Sequence, residues 1–183
     1  MTRVAFYGGS FNPPHVAHVL ACAYLLSAMD VDRVLVVPVF RHAFEKPLAP
    51  FEHRVEMCRR AVAWLPGVEV SSVESELETP SLTLRTLEHL RARHPDWSLR
   101  LVVGSDVLFE ARKWHAFERI CQIAPPLVLG RVGYPHADAP VAVLPEVSST
   151  RIRELVASES EKELAHLLPR SVLAYVLEQG LYR

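Results

Sequence analysis

The chain has 183 residues, half of them apolar and 22% charged, with a formal net charge of −1. That length supports one complete hydrophobic core without disulfide or metal staples, and a near-zero charge offers no overall field for nucleic acid, so a small molecule is the expected partner. The longest strongly apolar run, VLACAYLLSAM at 19–29, is well short of the ~18 residues of a membrane span, and the N-terminus carries no apolar leader pattern, so no membrane contact and a cytoplasmic location are expected.

Taken in chain order, runs rich in valine and leucine stand at 3–7, 33–39, 68–73, 99–104, 126–130 and 141–144. They are continuous more than alternating, which predicts strands covered on both faces. Helical spacing fills the gaps: VLACAYLL after the first run, then 52–65, where Val55, Cys58, Val62 and Leu65 share a face, and 81–94, where Leu84, Leu87 and Leu90 do. Pro50 precedes the second helix, and Pro80-Ser81 predicts a serine cap on the third. Strand and helix in alternation predict an α/β fold, a Rossmann-like doubly wound, mostly parallel sheet with helices on both faces. From Ser148 onward no strand-like run remains. Two or three helical periods and a Gln179-Gly180-Leu181 stop predict a small C-terminal helical part, 148–183, on a core of 1–147, in a single domain. Cys22, Cys58 and Cys121 are widely spaced in apolar contexts and are expected as reduced core residues. Nothing in the sequence fixes an oligomeric state.

The stretch GGSFNPPHVAH, 8–18, falls where the first strand meets the first helix, a preferred ligand position in such sheets. Gly8 and Gly9 allow close backbone approach, and a helix start presents unpaired N–H groups and the positive end of its dipole. His15 and His18, three apart on the first turn, are expected to share a side and donate to phosphate oxygens. Surface histidines on a tight turn are the plain alternative. A zinc pair is another, although no third ligand stands at metal spacing. Neither a P-loop nor a G-x-G-x-x-G fingerprint is present. Far along the chain, SSTRIRE at 148–154 places Ser148, Ser149 and Thr150 at a helix start with Arg151 and Arg153 behind them, where hydroxyls, amides and a guanidinium suit a polyphosphate; a serine-capped surface helix is the plain alternative.

These two stretches together resemble the nucleotidyltransferase superfamily with H-x-G-H and S-S-T-x-I-R signatures. More narrowly, PSLTLRTLEHL (80–90), VVGSDVLFEARKWHAF (102–117) and LLPRSVLAYVLEQGLYR (167–183), in that order, are similar to the bacterial nicotinate mononucleotide adenylyltransferases. The resemblance implies an enzyme that joins ATP and nicotinate mononucleotide into deamido-NAD with release of pyrophosphate, with Mg²⁺ accompanying ATP and no protein-held metal. It implies ATP contacts at Gly8, Gly9, Ser10, Phe11, His15, His18, Asp106, Ser149, Thr150 and Arg153, with His15, His18, Lys46 and Arg153 facing the reacting phosphates. Thr83, Trp114, His115 and Arg54 are implied on the mononucleotide side. The signature glycine is Ala17 here, whose methyl is expected to crowd a nucleotide packed on that backbone. Transfer to nicotinamide mononucleotide or phosphopantetheine, and a nucleotide-binding regulator without turnover, are the alternatives.

Overall fold

The computed structural model describes residues 1–41, 47–109, 114–139 and 141–183. Five strands form the sheet: β1 (Thr2–Gly9), β2 (Arg33–Pro38), β3 (Val68–Val70), β4 (Trp97–Gly104) and β5 (Pro126–Leu129). All neighbours run parallel, in the order β3-β2-β1-β4-β5. Phe6 stands opposite Leu35 on one side and Leu101 on the other. The chain therefore winds outward from β1 to β3, then returns to the other side of β1, and the reversal opens a crevice beyond the carboxyl ends of β1 and β4.

Side chains alternate between two cores, as a pleated strand requires. Ala5, Val34, Val36, Val102 and Leu127 face one side, where α1 (Val16–Ala28) and α2 (Phe51–Val62) bury Leu25, Met57 and Cys58. Val4, Phe6, Leu35, Leu101 and Val128 face the other, where α3 (Thr83–Arg93) and α5 (Phe117–Ile123) bury Leu87, Leu90 and Ile120. A short helix, α4 (Ser105–Leu108), follows β4 directly, and a 3₁₀ turn spans Val73–Glu76. The last helices, α6 (Ser149–Ala157), α7 (Glu161–Leu167) and α8 (Arg170–Glu178), bury Ile152, Leu164, Leu168 and Val172 in the first core. His53 Nδ1 and Tyr175 Oη lie 2.8 Å apart across α2 and α8. Gly180, in left-handed backbone at φ 60°, ends α8 as expected, and Leu181 N–H donates to Val176 O. No described helix is long and apolar enough to cross a membrane.

Three local expectations are corrected. Residues 141–144 form no strand: Val141 is 67% exposed and Val143 46%, and the chain there crosses Gly130 so closely that a Cβ on that glycine would lie 2.5 Å from Val141 O. The residue that caps α3 is Leu82, because the Ser81 hydroxyl instead accepts from Arg41 N–H. Cys22 and Cys58 are buried thiols, whereas Cys121 is only half-buried; all three are free.

Candidate active site

β1 runs through Gly8 and Gly9, so neither glycine makes the turn. Their lack of side chains matters for space, since a Cβ on Gly9 would sit 3.1 Å from the Phe11 ring. The turn itself is made by Phe11, at φ 43°. Its ring is buried and packs edge-on against Tyr7 and His18, with centroids 5.5 and 4.9 Å away, so the side chain supports His18 and only the Phe11 backbone is left to meet ATP.

The next residues have their carbonyls claimed one after another. Arg54 Nη1 donates to Ser10 O at 3.0 Å, Arg153 Nη1 to Asn12 O at 2.9 Å, and Ser149 Oγ to Pro13 O at 2.9 Å. Helices α2 and α6 thus grip the loop that leads into α1. The free first-turn N–H groups of α1 and α6, two 13- and 9-residue helices, are tied to one locus. That is an anion-binding arrangement built from dipoles.

His15 is the N-cap of α1, and its ring stacks on that of His18 with centroids 3.7 Å apart. His15 N–H donates to His18 Nδ1 at 3.1 Å, which leaves the His18 proton on Nε2. Burial, and then the Arg131 guanidinium, push His15 down to about 4. Burial, His15 and Arg131 hold His18 well below the ordinary histidine value. Both rings are therefore neutral at pH 7 and act as N–H donors, not cations. Among the described residues, His15 Nδ1 is buried without a partner.

At the start of α6, Ser148 Oγ caps the helix by accepting from Arg151 N–H. The Ser149 hydroxyl donates its one proton to Pro13 O, which corrects its expected role as a hydroxyl donor to ATP; its backbone N–H stays available. Thr150 Oγ1 accepts from Arg153 Nη2 at 3.2 Å and keeps its own proton for a ligand oxygen. Asp106 lies in the first turn of α4 beyond β4, with Arg131 Nε 3.7 Å from its Oδ1. Thr83 opens α3 at the same end of the sheet, half-buried. Trp114 is half-buried, edge-on to Phe117, and packs on the second core, while His115 beside it is exposed.

Arg54 is the largest correction. It is 1% exposed, and its guanidinium donates to Ala49 O, Ser10 O, Val39 O and Phe40 O at 2.9, 3.0, 2.7 and 3.4 Å. A side chain so enclosed does not meet the mononucleotide; it joins the two loops that follow β1 and β2. Ala17 is also buried, at 3% exposure, with its methyl packed within the fold. Lys46 lies outside the described residues. Among the described residues no three His, Cys, Asp or Glu side chains group to hold a metal ion.

Residues 6–155 match the cytidylyltransferase-like family. The chain belongs to that family. Over 99% of its length it is 47% identical to an Anaeromyxobacter sp. (strain K) protein named "Probable nicotinate-nucleotide adenylyltransferase", covering 97% of it. It is 35% identical, again over 99% of its length, to the whole of a Thermus thermophilus protein of the same name. The nicotinic acid mononucleotide adenylyltransferase of Plasmodium falciparum, solved in complex with NaAD, superposes with a TM-score of 0.87 at 19% identity, covering all of this chain and 98% of that one. At that identity the likeness is one of fold.

Asn12, Arg131, Tyr182 and Glu74 escaped sequence reasoning. Asn12 is 3% exposed, and its Oδ1 accepts from Ala49 N–H at 3.0 Å and Tyr182 Oη at 2.9 Å. Glu74, also buried, accepts from Phe40 N–H and Thr86 Oγ1; burial raises its carboxyl above the usual range. The one available signal for Asn12 was an amide before two prolines in a glycine-led turn, where a side chain commonly replaces backbone bonding.

Proposed function

We propose that the chain transfers the adenylyl group of ATP to nicotinate mononucleotide, forming deamido-NAD and pyrophosphate in the cytoplasm. The observation that carries this reading is the meeting of the α1 and α6 N-termini at residues 12–13, with His18 Nε2–H and Arg153 beside them. The full-length relatives with that name supply the choice of reaction.

An oxygen of the mononucleotide 5′-phosphate attacks the α-phosphorus of ATP. The new P–O bond forms as the bond to the β-phosphate oxygen breaks, and its electron pair leaves with pyrophosphate. A phosphate whose second pKa is near ~6 is already ionised at neutral pH, so no general base is required. The protein's task is alignment and stabilisation of charge on the α-phosphoryl and leaving group. Neutral His15 and His18 offer N–H dipoles, Thr150 a hydroxyl, and Arg153 the guanidinium hydrogens left after it holds Asn12 O. Gly8, Gly9 and Ser10 let the nucleotide approach backbone at the end of β1, Asp106 serves its ribose or base side, and Lys46 faces the phosphates. Mg²⁺ would enter with ATP, draw its ligands mainly from phosphate oxygens and water, and help neutralise the charge on the leaving pyrophosphate. Thr83, Trp114 and His115 meet the pyridine ring and its carboxylate from the α3 and α5 side. In this reading 1–147 is the nucleotide-handling core and 148–183 the helical part that completes it.

The test is pyrophosphate release from ATP with nicotinate mononucleotide, nicotinamide mononucleotide or phosphopantetheine as acceptor. Release that depends on nicotinate mononucleotide, with the other two slower, is the expected result. Equal use of acid and amide overturns the acid-specific reading. Tight ATP binding with no release under any acceptor returns the chain to a regulator.

A further inference from the structure

We propose that the C-terminal tail is a positioning element for the site and that the Tyr182 hydroxyl, through Asn12, fixes the loop that presents His15 and His18. The inference rests on the adenylyl-transfer reading for its kinetic consequence, but its geometry does not.

After α8 the chain does not run out into solvent. Gly180 and Tyr182 both take left-handed backbone, at φ 60° and 67°, and Leu181 N–H closes onto Val176 O at 3.0 Å. A left-handed tyrosine is uncommon and needs surrounding structure to hold it. What the turn achieves is to aim the Tyr182 hydroxyl at Asn12 Oδ1, 2.9 Å away and 170 residues earlier in the chain. Tyr182 is half-buried, and its partner Asn12 belongs to the loop whose Ser10 O and Asn12 O are held by Arg54 and Arg153. Burial raises its phenol further above its ordinary range, so it remains a proton donor at any working pH.

Asn12 is the junction. Its Oδ1 takes two donors, Tyr182 Oη and Ala49 N–H, and its Nδ2 gives to Pro47 O at 3.4 Å. One amide therefore ties together three stretches: the loop at 10–13, the segment at 47–49, and the tail. Two donors converging on Oδ1 also fix which way the amide faces, since a flipped amide would present NH₂ to both. His15 lies three residues beyond Asn12. Removing the phenolic donor leaves Asn12 with one weak and one good partner and frees it to turn within its buried niche. Small displacements of groups that align a reaction are costly, with ~1 Å worth as much as 10²-fold.

A tail that merely anchors α8 would affect stability alone. The decisive comparison is wild type, Y182F, N12A and Y182F/N12A, each measured for kcat, both KM values, urea midpoint, MgATP affinity by calorimetry, and hydrogen exchange at Ala49 N–H. We expect Y182F to lose about 10-fold in kcat with each KM changed less than about twofold, and to exchange Ala49 N–H faster. The double variant should be no worse than N12A, because both changes break one path. A chain ending at Leu181 is the second probe and should show the same kcat loss. Wild-type kcat in Y182F with unchanged Ala49 exchange, or additive effects in the double variant, overturns the proposal. If the wild type shows no mononucleotide-dependent pyrophosphate release, the adenylyl-transfer reading fails, while Ala49 exchange and MgATP affinity still decide whether Tyr182 positions the loop.

Discussion

Replacing Arg54 by alanine separates two roles for a cation that look alike in sequence. If Arg54 met the mononucleotide, the change would raise the acceptor KM and leave the fold intact. In the structure its guanidinium makes three good bonds, to Ala49 O, Ser10 O and Val39 O at 2.9, 3.0 and 2.7 Å, and a longer one to Phe40 O. Hydrogen bonds to charged groups contribute ~1.5–3 kcal/mol each, so three make roughly 4.5–9 kcal/mol if simply added. Water entering the vacated space recovers part of this, because the bonded carbonyls are only partly buried. A loss of about 3–5 kcal/mol remains, the usual cost of breaking a buried polar network. Against a total stability of ~5–15 kcal/mol, that moves the urea midpoint by a large fraction of its value. Arg54→Lys should recover little, since one ammonium cannot reach carbonyls of three separate segments as a planar fork does. Equilibrium urea melts of wild type, Arg54→Ala and Arg54→Lys give the answer. An unshifted midpoint together with a raised mononucleotide KM would refute the reasoning and return Arg54 to the substrate.

His18→Ala should reduce kcat by about 10²-fold, as expected for losing one preorganised donor, with the urea midpoint nearly unchanged; turnover within threefold of wild type removes His18 from the reaction. Ala17→Gly should lower stability by up to ~1 kcal/mol and leave MgATP affinity where it was, because the methyl is packed within the fold; tighter ATP binding by calorimetry would show that it crowds the nucleotide. His15 is held near 4 in the fold against an ordinary 6.5, so its neutral form is the folded one. Stability is then fully present above pH ~6.5 and lost as pH falls toward 4, by up to about 3 kcal/mol, and His15→Gln should flatten that slope in urea melts; parallel slopes for the two proteins would count against it.

The sheet was legible because a strand buried on both faces must be apolar throughout, and five such runs are strands. The sixth, Val141 to Leu144, has the same composition, yet two of its valines face solvent where the chain crosses Gly130. Composition records β propensity; it does not record whether a sheet edge is free to accept another strand. The placement of His15 and His18 on one side of the first turn of α1, and of Arg153 near the start of α6, was legible because the neighbouring helix starts supply their geometry within a few residues. Asn12 and Tyr182 were not, since their meeting is a product of the whole winding. Arg54 was misread for a simpler reason: a guanidinium reads the same in sequence whether it faces a ligand or a set of carbonyls.

Arg54 still bears on the chemistry from where it sits. Among the described residues no carboxylate lies within ion-pair distance of it, and its bonds go to neutral carbonyls, so a buried positive charge stands beneath the loop without a counter-ion. Glu74 and Glu52 act on it only electrostatically, and burial raises the Glu74 carboxyl above its ordinary range. With both histidines neutral, the positive charge that the described residues bring to this region belongs to Arg54, Arg153 and Arg131, the last facing Asp106, and in the proposed reading most donors that an anion would touch are dipoles. One unit charge at ~10 Å and an effective dielectric near 20 is worth about 1.7 kcal/mol per ligand charge. That attraction needs no contact and acts alike on ATP and on pyrophosphate. In the adenylyl-transfer reading, contacts from His18 Nε2–H and Thr150 Oγ1 would, by contrast, depend on direction and would favour the geometry of transfer over either ground state. On the proposed function, a buried cation that draws the polyphosphate in, and oriented neutral donors that discriminate along the reaction, would divide binding from rate between residues that do not touch the same atoms.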